Sequence, residues 1–103
     1  MKENVKASLW VNKISIDLNE FVEEFLGSTV VGAVSALKGT ESIKTLELVC
    51  NKAKDGLSIT VNGKSLELKP FPKQIITNTL IGLVSTLKGV DKIDNFKITA
   101  KVS

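Results

Sequence analysis

The chain has 103 residues, 43% of them apolar and 24% charged, with a net charge of +3; this bounds it to one globular domain able to build a core. One cysteine, Cys50, excludes an internal disulfide framework, and the lack of histidine removes the commonest general base and metal ligand. Every basic residue is lysine; without arginine, bidentate reading of phosphate or guanine is disfavoured.

In chain order, Met1-Lys2-Glu3-Asn4 leads into a strand pattern, not into the apolar core of a signal peptide. Ala7 to Val11 reads as a strand, Asn12-Lys13 as a turn, and Ile14 to Leu18 as the return strand. Ile14, Ile16 and Leu18 are expected inward, with Ser15 and Asp17 outward. Asn19 suits a helix N-cap, and Glu20, Glu23 and Glu24 suit the positive end of the helix dipole. The helix is expected to end at Leu37-Lys38-Gly39, with Gly39 as a left-handed cap. Its apolar stripe runs Phe21, Val22, Phe25, Leu26, Val30, Ala33, Val34, Leu37. Thr45 to Asn51 is the third strand, with Leu46, Leu48 and Cys50 on one side; Cys50 behaves there as a small buried hydrophobe.

Lys52-Ala53-Lys54-Asp55-Gly56 is a tight connection, after which the pattern starts again. Leu57 to Val61 and Lys64 to Leu68 flank Asn62-Gly63, the strongest short hairpin signal, because a type I′ turn needs positive φ at both central residues. Lys13 holds the glycine's place in the first copy, so that turn is expected to be strained or of another type. Pro70 and Pro72 mark a helix start. The second helix places Ile75, Ile76, Leu80, Leu83, Val84 and Leu87 on its stripe and is expected to end at Gly89. Phe96, Ile98, Ala100 and Val102 form the last strand.

Residues 8–53 align with 58–103 without a gap at an offset of fifty. Identities include Ser8/Ser58, Val11/Val61, Asn12/Asn62, Phe21/Phe71, Gly32/Gly82 and the Leu-Lys-Gly ends of both helices. Two copies are too few for a solenoid and fit a fused dimer with a pseudo-two-fold. The expected fold is therefore α+β: two tandem ββαβ repeats in a single domain over 1–103, with six mainly antiparallel strands and two helices on one face. Strand order does not follow from the pattern.

Three surfaces could carry function. Ser28, Gly32 and Ala36 form a small-residue ridge, matched by Asn78, Gly82 and Thr86. A mid-helix glycine costs about 1 kcal/mol against alanine. The ridges are expected to pack the two helices on each other; the functional reading is a docking groove for another subunit. Val31 and Ile81, expected on the water-facing strip, hint at the same interface. The second surface is the sheet face away from the helices, where Trp10 and Val49 are interface candidates. Trp10, Lys97 and Lys101 could instead hold single-stranded nucleic acid by stacking and charge; one aromatic is fewer than such sites use. The third feature is charge: residues 1–53 carry six lysines and seven acids, and 54–103 carry eight and four. Head-to-tail self-association is the functional reading of that imbalance.

There is no phosphate loop, dinucleotide fingerprint or metal-ligand spacing, so no catalytic residue, cofactor or metal is assigned. No apolar run reaches the roughly 20 residues of a membrane span, and a cytoplasmic location is expected. The function expected is a non-catalytic protein-interaction or assembly module, self-associating or with a protein partner. The alternative is weak nucleic-acid binding without sequence preference.

Overall fold

Alternating apolar residues build the sheet, and the helices cover the side on which those residues emerge. The computed structural model describes residues 5–37, 42–51, 56–87 and 92–102. In it β1 (Val5–Val11), β2 (Ile14–Ile16), α1 (Glu20–Ser35) and β3 (Thr45–Asn51) precede β4 (Gly56–Val61), β5 (Lys64–Leu66), α2 (Pro70–Val84) and β6 (Asn95–Val102). The fold is α+β, with one six-stranded antiparallel sheet in the order β2-β1-β6-β3-β4-β5. Its two central strands, β6 and β3, are the ones that follow the helices.

Register places Leu9, Ile98, Leu48 and Ile59 side by side across four strands. Residues opposite one another in antiparallel strands share a face, so this row is the floor of the core. Leu26, Val30 and Val34 of α1 and Ile76, Leu80 and Val84 of α2 lie on it, in one continuous buried cluster. Cys50 is buried in the same cluster.

Local chemistry explains the element ends. The Val22 amide donates to Asn19 Oδ1 at 2.8 Å, the expected N-cap. Lys69 precedes α2 without a side-chain cap, and Pro70 supplies the preset φ of a first helical residue. The expected glycine ends are corrected. The helices stop at Ser35 and Val84 with right-handed caps at Ala36 and Ser85. Their last turns tighten through Leu37 N to Val34 O at 3.0 Å and Leu87 N to Val84 O at 3.1 Å. In α2, Ser85 Oγ and Thr86 Oγ1 donate to the Gly82 and Leu83 carbonyls, satisfying terminal acceptors that a glycine cap was meant to serve. Gly39, Gly89 and the connection at 52–55 lie outside the described residues.

The return strands are shorter than expected, three residues each, and Ile14 is exposed, not inward. Both hairpin turns have the same geometry: φ is 51° at Asn12 and Asn62, 70° at Lys13 and 84° at Gly63. Lys13 therefore takes up the left-handed strain; the turn does not change type.

The two asparagines also work at long range. Asn12 Nδ2 donates to Lys92 O at 2.6 Å, and Asn12 Oδ1 accepts from the amides of Asp94 and Asn95 at 2.8 and 3.1 Å. Asn62 Nδ2 donates to Ser42 O at 2.8 Å, and Asn62 Oδ1 accepts from the amides of Lys44 and Thr45 at 2.8 and 3.0 Å. Each turn thus grips the chain entering a central strand, fixing where β6 and β3 begin.

Candidate functional site

The outer face of the helix layer departs most from expectation. Leu26, Val30 and Val34 define the inward arc of α1. At 100° per residue, Phe21, Phe25, Ser28, Gly32 and Ala36 fall on the opposite arc, and all five are exposed. On α2 the matching strip is Phe71, Ile75, Asn78, Gly82 and Thr86, also exposed throughout. Phe21 is 74% exposed, Phe25 49%, Phe71 71% and Ile75 48%. The Phe21 and Phe25 rings stack at 6.0 Å with 8° between planes, a flat pair lying on the helix surface.

Two expectations are corrected here. The ridges do not pack the helices together: a Cβ added at Gly32 or Gly82 would meet nothing within 4 Å. The ridges point away from the sheet, opposite the rows that anchor each helix. Val31 and Ile81 also do not stand in water; both are partly buried and packed against the core cluster. Phe21, Phe25 and Ile75 exchange places with them, because the sheet-facing arc is narrower than the apolar stripe.

The open sheet face is where the alternation puts it. Trp10, Lys97, Val49 and Ser58 are neighbours in one cross-strand row. Trp10 and Val49 are partly buried. Lys97 Nζ stands 5.3 Å from the Trp10 ring centroid, a cation–π contact that covers the surface on which a base would stack. Lys101 is exposed two rows further along the same face, with Lys6 and Thr45 beside it. The Lys92–Asp94 ion pair is 3.9 Å long between two well-exposed side chains, a contact of little energetic weight.

A cavity of about 680 Å³ opens between α2 and the β3–β4 side of the sheet. It has no signal in the hydrophobic pattern. Three of its lining residues, Leu57, Lys73 and Thr77, differ from the residues fifty positions earlier. Gly27 of α1 lets that helix sink onto β1: a Cβ there would meet Val5 Cγ1 at 2.5 Å and Ala7 Cβ at 3.4 Å. Fifty residues on stands Thr77. Leu57 stands for Ala7, and Lys73 for Glu23. Among the described residues, the backbone of α1 approaches β1 and β6 more extensively than that of α2 approaches any strand.

Among the described residues no group of His, Cys, Asp and Glu could hold a metal ion, and no helix is long and apolar enough to cross a membrane. Compared with known proteins, the chain matches no family model, no curated protein and no solved structure above chance.

Proposed function

We propose that this chain is a protein-interaction module that self-associates through the outer face of its helix layer, on a scaffold made by duplicating one ββαβ unit. The duplication reading rests on register. Leu9↔Ile16 and Ile59↔Leu66 are fifty apart at both ends, as are Leu9↔Ile98 and Ile59↔Leu48. Leu48 faces Ile98, its own counterpart, at the centre of the sheet. In this reading each copy lends its third strand to the other half, and Asn12 and Asn62 clamp the exchanged strands.

The observation that carries the function is the pairing of exposed knobs with empty hollows. Each helix bears two large apolar side chains at its start and an uncovered glycine a few turns later. An antiparallel helix from a second copy fits that profile: its Phe or Ile knobs enter the hollow at Gly32 or Gly82, and its own hollow receives the partner's knobs. The glycines, about 1 kcal/mol unfavourable each, then have a reason the isolated chain does not supply. Aromatic side chains offer roughly 150–250 Å² each, so two copies face to face would cover roughly 1,000 Å² of apolar surface. That lies near the lower limit for a specific interface, the size class of weak, reversible association.

Charge gives the head-to-tail alternative less support. Glu23 is held by the Ala7 amide, and Lys73 lies along the cavity, so neither is available to an outer contact. The nucleic-acid reading on Trp10, Lys97 and Lys101 is weakened by the lysine already lying over the only tryptophan.

The test is sedimentation equilibrium of the native chain and of Phe21→Ser and Phe71→Ser. The native chain is expected to exceed its 11.1 kDa monomer mass as concentration rises. Each serine variant should stay folded and shift the midpoint at least tenfold. A native chain that remains monomeric at about millimolar concentration would overturn the self-association reading.

A further inference from the structure

We propose that the cavity beside α2 binds a small aliphatic carboxylate, seated between Lys73 and the Leu57 amide. The first half of the molecule shows how such a group is held. Pairing of β1 with β2 runs only from Leu9↔Ile16 to Val11↔Ile14, so the Ala7 amide projects past the end of β2. Glu23 Oε2 accepts it at 3.1 Å. A carboxylate from α1 thereby caps an open strand edge.

In the second half, β4 pairs with β5 only from Ile59↔Leu66 to Val61↔Lys64. Amides two residues apart on a strand point to the same edge, so Leu57 presents its N–H as Ala7 does. No described carboxylate reaches it. The position that would supply one is Lys73, which lines the same cavity as Leu57. An acceptor has thus been replaced by a cation, beside a donor of the same kind. Thr77 in place of Gly27 keeps the helix off the sheet, and the room left is about 680 Å³, within the range of small-molecule sites.

The walls define the ligand. A carboxylate head gains the lysine's charge and the amide's hydrogen bond. Leu57, Leu68 and Ile81 offer apolar surface to a short chain, and Asn78 adds a polar group at the wall. A phosphate would find one lysine and no arginine; a neutral alkane would leave Lys73 and the amide without acceptors. The site lies along the flank of α2 that faces β3 and β4 and shares only Asn78 with the outer strip; Phe71, Ile75 and Gly82 lie outside it, so it does not depend on self-association.

The experiment is an amide NMR titration with sodium octanoate, at a protein concentration where the chain is monomeric. Saturable shifts are expected at Leu57, Lys73 and Thr77, with Kd at or below about 1 mM and with the Ala7–Glu23 region unmoved. Octanol should bind at least tenfold more weakly. Lys73→Glu restores the first half's own carboxylate and should abolish binding while the chain stays folded; Lys73→Gln serves if the glutamate variant misfolds, with at least a tenfold loss expected. Absence of saturable shifts at about 10 mM octanoate, equal binding of octanol, or undiminished binding by a folded Lys73 variant would each overturn the proposal.

Discussion

Asn62→Ala should destabilise the domain by about 2–3 kcal/mol. The side chain makes three hydrogen bonds, of 2.8, 2.8 and 3.0 Å, to the stretch Ser42–Thr45. Net contributions run about 0.5–1.5 kcal/mol each, and the lower end, about 0.5 kcal/mol per bond, applies because water can reach these exposed groups. Asn62 also holds φ at 51°, a region where alanine costs about 1 kcal/mol. For a chain of this size, at about 2.1 cal/mol/K of unfolding entropy per residue, the melting temperature should fall by about 10–15 °C. Urea denaturation followed through Trp10, partly buried in the sheet, gives the free energy directly. Asn62→Gly keeps the backbone freedom and should lose about 1 kcal/mol less. Asn12→Ala should match Asn62→Ala, since its partners at Lys92, Asp94 and Asn95 are equivalent. Asn78→Ala, on the exposed face of α2, is the control and should stay within about 0.5 kcal/mol. A loss at Asn62 no larger than that control would refute the idea that the turns clamp the central strands.

The helix glycines should respond with opposite signs. Gly27→Ala drives a Cβ to 2.5 Å from the Cγ1 of Val5, a side chain with little rotamer freedom, and should cost about 1–3 kcal/mol. Gly32→Ala meets open space and should stabilise the monomer by about 0.5–1 kcal/mol; urea midpoints of the two variants check both. Lys13→Gly removes a non-glycine residue from φ 70° and should stabilise by about 0.5–1 kcal/mol, seen as a raised urea midpoint with an unchanged slope.

Much of the fold is legible in the sequence because strand period and turn chemistry are local signals. Leu46, Leu48 and Cys50 alternate as a half-buried strand must, and Asn62-Gly63 names its turn type. The strand order is not local. It depends on Asn12 reaching residues 92–95 and Asn62 reaching 42–45, and a turn asparagine gives no sign that its side chain has a distant partner. The helix faces fail for a different reason. Phe21 and Phe25 are apolar, so a search for apolar stripes places them with Leu26 and Val30. Only the wheel angle separates them, and a stripe wide enough to include both arcs hides it. Val31 is misplaced by the same error in reverse.

The candidate surfaces divide in the same way. Gly32 and Gly82 stand out in the sequence as paired irregularities; what they contact is a question of which side of the helix meets the sheet. The cavity falls where residues fifty apart differ: Glu23 against Lys73, Gly27 against Thr77, Ala7 against Leu57. Attention to identities passes over such mismatches.

The central claim is that the outer helix strips are hollows built for a second copy, and Gly82→Leu tests it most directly. A Cβ at that site meets no atom within 4 Å, and leucine favours the helix by about 0.8 kcal/mol over glycine. Sedimentation equilibrium alongside urea denaturation should find a more stable chain that no longer associates at concentrations where the native chain does. Association that survives the filled hollow, in a chain that is folded and stabilised, would contradict the account.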